Sequence, residues 1–365
     1  MKKERRYDID WIRVIAIALL LIYHTAIVFQ PWATMIFFMQ SNESLQGLWT
    51  IMSMLNVWRI PLLFFVSGMG VYFAIQRRDW LGLIKERAKR ILLPFVFGCL
   101  VICPIHALIF VKYYDLPFNY MINSGHLWFL GNIVCYILVL SPVFFYLKKY
   151  PNGLLRKGLS KLMRFAFGPL ILASLSLLEV LLVEPGAFEL YAQNWHGFFL
   201  GLSCFLVGYL FMFSGQVFWS TLSKWTFLYL SLGLVLYVNR IGLFGTSSNM
   251  YLTAIESNLW ILGVFGLGYR YLNKSGALLS YLSKAAYPVY IIHMAVLYLG
   301  CYLILPLEID PMLQFIGINV FNFILCFLVY EFILKPFDII RPLFGLGKRS
   351  TQTNKVKLEH SEILQ

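Results

Sequence analysis

Arg13 and His24 stand eleven positions apart inside the first apolar run of this chain. At about 100° per residue, eleven positions return to within ~20° of the starting direction, so both side chains share one helical face, roughly 16 Å apart along the axis. Asp10 lies three residues before Arg13, where a helix brings the two side chains together. A neutral imidazole removes a proton from an attacking hydroxyl or carries a transferred group itself. A guanidinium holds phosphate oxygens, or balances an oxyanion as it forms. Arg87 and Arg90, three residues apart, form a second basic face suited to clamping phosphates.

More ionisable residues fall where the sequence is otherwise apolar. Arg59 lies near the middle of the second run. His106, Glu179 and Glu256 reach a common depth in the third, fifth and eighth, and His126 opens the fourth. His293 and Glu331 fall toward the end that carries Arg13. Charge inside a bilayer is costly unless paired or wet. Several such groups at one depth therefore point to a polar cavity, against the simpler account that each makes a private bond to a neighbouring helix. All six cysteines sit in apolar runs. Cys99 and Cys103 are one turn apart, but no further ligand completes a metal site, so the cysteines read as packing residues and no metal is expected.

These residues need a scaffold, and the composition dictates its kind. Of 365 residues, 60% are hydrophobic and 13% charged, against about a quarter charged in a soluble domain. A soluble enzyme, a disulfide scaffold and a disordered chain are excluded. The fold class is an all-α membrane protein of about ten spanning helices, near 11–29, 48–74, 91–111, 126–147, 165–183, 195–213, 225–237, 251–269, 287–307 and 312–334. The segment 77–90 reads as an interfacial helix. The spacing Gly197-x-x-x-Gly201 offers a close helix approach. Residues 1–346 form one transmembrane domain and 347–365 a polar cytoplasmic tail, expected to be disordered.

With these spans, 26 of the 30 Lys and Arg residues fall on one side, two on the other and two within spans. The excess marks the cytoplasmic side, so both termini are expected in the cytoplasm. The net charge of +13 follows from that bias and calls for no nucleic acid. The expected setting is a cell membrane crossed many times, the cytoplasmic membrane of a bacterium. Membrane lipids are then its surroundings.

The ordered motifs resemble the integral-membrane acyltransferase family known as type 3. They begin with Asp8-Ile9-Asp10-Trp11-Ile12-Arg13 and, after ten intervening residues, His24, followed by Arg87-Ala88-Lys89-Arg90. Arg59-Ile60-Pro61-Leu62-Leu63-Phe64-Phe65-Val66-Ser67-Gly68 and Gly125-His126-Leu127-Trp128-Phe129-Leu130 continue the likeness. Tyr287-Pro288-Val289-Tyr290-Ile291-Ile292-His293 and Arg341-Pro342-Leu343-Phe344-Gly345 complete it. The branch that looks closest contains glucan biosynthesis protein C, a succinyltransferase. The resemblance implies transfer of an acetyl or succinyl group from cytoplasmic acyl-CoA to a hydroxyl of an extracytoplasmic glycan or glycolipid. It needs no cofactor beyond the donor itself. It implies His24 as the catalytic group and Arg13, Arg87 and Arg90 as donor-binding groups. From their depth we add Arg59 as a second catalytic group, and His126, Glu256 and His293 as substrate-binding groups. A long thin tunnel for the pantetheine arm is expected between the helices. The competing reading is a multi-span transporter or flippase of a glycan or lipid.

Overall fold

A chain segment in hydrocarbon must satisfy its own backbone polar groups, which a helix does within itself. The computed structural model describes residues 5–242 and 249–347. Within them every regular element is helical. In chain order these are α1 (Tyr7–Val28), α2 (Gln46–Ile75), α3 (Trp80–Tyr113), α4 (Gly125–Lys149), α5 (Leu154–Leu162), α6 (Gly168–Val183), α7 (Trp195–Ser214), α8 (Gln216–Arg240), α9 (Met250–Leu272), α10 (Ala277–Ile304) and α11 (Pro311–Leu334). Nine of these described helices, all but α5 and α6, are long and apolar enough to cross a membrane. Apart from Gly347, the tail expected over 347–365 lies outside the described residues.

The expected crossing at 165–183 is α6, a shorter helix broken at Ser174, whose hydroxyl bonds back to the Ile171 carbonyl at 2.6 Å. Together with the end of α5 it flanks α7. At one end Ser160 Oγ donates to the Ser214 carbonyl (2.9 Å) and Thr221 Oγ1 to the Met163 carbonyl (2.6 Å). At the other end Glu179 meets His196, the second residue of α7, at 2.9 Å.

Three expected boundaries shift for one reason. Polar residues that hydropathy assigns to loops are helical and satisfy themselves. The helix expected at 225 begins at Gln216, directly after Gly215, whose φ of +88° makes the turn. There Ser220 Oγ donates to the Val217 carbonyl at 2.9 Å. Helix α10 begins at Ala277, not 287. The segment 80–90 is no separate interfacial helix but the start of α3. Two π-turns, Ala88–Leu92 and Gly98–Ile102, keep α3 continuous. Each contains the carbonyl four residues before a proline, Pro94 or Pro104. Proline lacks an N–H and crowds that carbonyl, and the wider turn relieves the conflict.

The tightest crossing joins α2 and α7. A Cβ on Gly68 would stand 1.9 Å from the Phe205 carbonyl oxygen, and one on Gly208 2.1 Å from that of Phe65. The backbones meet there, not at the pair expected from sequence. Gly197 faces the Tyr191 backbone and Gly201 faces Tyr136 and Phe64. Helix α1 packs on α2, α10 and α11, and this placement assembles the polar groups described next.

Candidate functional site

Two polar groups occupy opposite ends of one face of α1. At the N-terminal end, Arg13 pairs with Asp10 at 2.5 Å, as the spacing predicts, and Arg5 shares that carboxylate at 2.8 Å. Beside it, Arg90 and Arg87 reach the two oxygens of Glu86 at 3.2 and 3.3 Å, and Arg78 lies 3.9 Å from the same carboxylate. Arg13, Arg78 and Arg90 all lie within electrostatic reach of Arg87. Three guanidiniums around Glu86, with Arg13 in reach of Arg87, leave a net positive cluster. Arg13 and Arg90 remain exposed to solvent, with 45% and 61% of their side-chain surface free.

Farther along α1, His24 meets α10. His24 Nδ1 is 2.9 Å from His293 Nε2, with the rings stacked 5.1 Å apart. His293 Nδ1 is 2.6 Å from the Tyr290 carbonyl. A carbonyl only accepts, so Nδ1 of His293 carries hydrogen, and in the neutral ring Nε2 keeps its lone pair. His24 Nδ1–H then donates to that lone pair, which leaves the lone pair of His24 on Nε2. The pair thus resembles a base held by an orienting partner. The sequence reading set His293 toward the Arg13 end. It is corrected because α10 begins ten residues earlier than hydropathy suggested and carries His293 to the depth of His24.

His126 is not at the surface either. The turn Gly125–Leu127 folds inward, so that His126 Nε2 donates to the Ile291 carbonyl at 3.0 Å and its ring meets His293 edge-on at 4.9 Å. Tyr290 Oη donates to the His126 carbonyl at 2.6 Å and pins that turn to α10. Phe38, from the segment between α1 and α2, lies against His24 with ring centres 5.6 Å apart. The backbone bonds Ser41 N to Val28 O (2.8 Å) and Leu45 N to Phe29 O (2.9 Å) fold that segment over the end of α1.

Arg59 is 1% exposed in the middle of α2. Its guanidinium lies 3.9 Å over the ring of Tyr23, the residue before His24. It is within electrostatic reach of both His24 and His293. Two of its nitrogens, Nε and Nη1, are buried with no hydrogen-bond partner. Buried donors in native proteins nearly always have partners, so these two are free to bind an anionic oxygen.

Glu256 does not join this group. Its carboxylate takes Arg240 Nε at 2.6 Å and Nη2 at 3.0 Å, and Trp260 Nε1 at 3.3 Å. Arg240 also reaches Glu189 at 3.4 Å. A buried carboxylate is satisfied best by a two-pronged guanidinium, and that partner excludes the histidines. Glu179 likewise belongs to His196. The fold therefore brings together His24, His293, His126 and Arg59 at one level, and Arg13, Arg87 and Arg90 at the other. It adds Tyr23, Tyr290, Arg78 and Glu86, which no spacing distinguished. Cys103, His106 and His126 also converge, a set the sequence reading left incomplete.

Between the two levels, Ile17 and Leu20 lie on the same face of α1 and are buried. Two apolar cavities occur elsewhere, one of about 210 Å³ between α6 and α9 and one of about 400 Å³ between α1 and α11. Neither is lined by the arginines or by His24.

The sequence matches the family described as an acyltransferase domain, type 3, over residues 6–331. No curated protein and no solved structure matches it.

Proposed function

This chain belongs to the type 3 acyltransferase family, and from that premise we propose that it is a membrane O-acyltransferase. It moves an acetyl or succinyl group from cytoplasmic acyl-CoA to a hydroxyl of an extracytoplasmic carbohydrate or glycolipid. The single observation that carries this reading is the His24–His293 pair with Arg59 beside it. Both termini lie in the cytoplasm on this reading. The excess of basic residues on that side favours it, as does an α6 that runs antiparallel to α7 as the tenth crossing.

The arginine cluster receives the CoA phosphates, for which guanidinium forks are suited. The pantetheine arm follows the face of α1 toward His24 and displaces the packing of Ile17 and Leu20. His24 Nε2 removes the proton of the acceptor hydroxyl as its oxygen attacks the thioester carbon. The carbonyl oxygen becomes an oxyanion, and the free Nε–H and Nη1–H of Arg59 balance it. Collapse breaks the C–S bond, and the departing thiolate takes the proton from His24. The products are an ester and free CoA. His126 lines the acceptor side. The donor is a substrate, and no cofactor enters these steps. The likeness to the succinyltransferase branch makes succinyl-CoA the first donor to try.

The test is thiol release from acetyl-CoA and succinyl-CoA by the protein in nanodiscs with a panel of glycans. Acceptor-dependent release is expected. Slow release without acceptor would favour an acyl-histidine path over direct transfer. Absence of both release and acyl-CoA binding would overturn the proposal in favour of a transporter.

Arg59→Met supplies a separate check. It should lower kcat about 10²–10³-fold, the usual loss for an oxyanion donor. Stability should change little, because Arg59 has no ion pair among the described residues and removing its desolvated charge offsets the lost contact with the Tyr23 ring. A melting temperature lowered together with unchanged specific activity would make Arg59 a structural residue.

A further inference from the structure

Beside the groups used above, and sharing His126 with them, α3 and the first turn of α4 bring three metal-ligating side chains together. Cys103 and His106 are three residues apart on one face of α3, and His126 comes from the turn Gly125–Leu127. One ligand atom from each lies within 4.8 Å of the others. We propose that Cys103, His106 and His126 form a binding site for one transition-metal ion of the zinc class.

Three observations carry this. His126 Nε2–H donates to the Ile291 carbonyl at 3.0 Å, so the neutral ring keeps its lone pair on Nδ1. That is the arrangement in which a metal-ligating histidine is held by a backbone carbonyl. Second, Nδ1 of His126 is buried with no hydrogen-bond partner among the described residues. Third, the turn is pressed onto the pair from α3. Gly125 has φ +45°, its N–H is held by Asn123 Oδ1 at 2.6 Å, and a Cβ there would stand 3.0 Å from Cys103 Sγ and 3.3 Å from His106 Cε1.

The competing account is ordinary packing, with Cys103 making a weak bond to the Ser124 carbonyl at 3.5 Å. It leaves the His126 lone pair unused. One thiolate with two imidazoles suits zinc, and three protein ligands leave a fourth position open. Zinc bonds of ~2.0–2.3 Å set tetrahedral ligands roughly 3.3–3.8 Å apart, so binding draws the three side chains in by about an ångström. Cys103 binds as thiolate, and its proton leaves to solvent. The ion fastens the turn to α3 and so fixes His126 against His293. It takes no part in the transfer steps proposed above, and its test does not read activity.

The protein is purified in nanodiscs without chelator and with any histidine tag removed, and its zinc is measured by mass spectrometry. Stoichiometric zinc is expected. It should be lost in Cys103→Ser and in His126→Ala and kept in Cys204→Ser, which alters a buried cysteine on α7. Cobalt added to the metal-free protein should give a thiolate-to-cobalt charge-transfer band. X-ray absorption of the unmodified protein should find one sulfur among nitrogen neighbours, which decides the matter even where a variant fails to fold. No metal after purification and no saturable uptake of zinc would overturn the proposal. So would a zinc shell without sulfur, or zinc retained in both variants.

Discussion

His24→Ala lowers acceptor-dependent release of CoA about 10²–10⁴-fold, the contribution typical of a placed general base, while acyl-CoA still binds. The two effects separate because the donor's phosphates are assigned to arginines about 16 Å away along α1. Fold is not at stake. His24 is half-buried, and among the described residues its polar partner is His293. The neighbouring substitution sharpens the test. His293→Ala removes the acceptor that holds His24 Nδ1–H, so the imidazole can rotate or exchange tautomers. It should lower kcat roughly tenfold or more with KM unchanged. His293→Gln, whose side-chain carbonyl can accept the same hydrogen, should restore much of the loss. A purely packing role for His293 predicts no such rescue. Equal activity of His24→Ala and wild type would remove the base from the mechanism altogether.

Glu256→Ala should destabilise the protein by about 3–5 kcal/mol, the cost of stranding one member of a buried ion pair. Arg240 keeps only 9% of its side-chain surface exposed and Glu256 only 1%, so water cannot replace the lost partner. Glu189, at 3.4 Å from Arg240, recovers part of the loss. The double substitution Arg240→Met with Glu256→Leu removes both charges and should recover most of the stability, since apolar replacement of a buried pair is often neutral or better. Melting temperature in detergent reads both. Specific activity of the folded fraction should stay near wild type in both variants, because Glu256 touches none of the transfer groups. A large fall in kcat without a fall in stability would return Glu256 to the site.

These two expectations mark where sequence reasoning succeeds and where it stops. The membrane class follows from composition alone, since so apolar a chain has no aqueous fold open to it. The alignment of Arg13 with His24 and the pairing of Asp10 with Arg13 were also legible. Both lie within one helix, where the period of 3.6 residues fixes direction and distance. Glu256 reads from sequence as a buried acid near a histidine, but its choice of Arg240 depends on how α8 packs on α9. The starts of α8 and α10 were hidden because serine, threonine and lysine look like loop residues to a hydropathy scale, while the serine hydroxyls bond to carbonyls of their own helix at no cost in continuity.

What the sequence determined by itself is therefore the solvent this protein lives in, most of its helices, and the one face of α1 that carries a base at one end and a guanidinium at the other. Only the tertiary structure decided what that base faces. His24 and His293 are 269 residues apart in the chain, and His126 likewise meets Cys103 and His106 only through the fold. Periodicity describes a helix to itself. Which helix stands opposite, and at what height, is settled by close packing of the whole bundle, as where Gly68 and Gly208 let α2 and α7 touch.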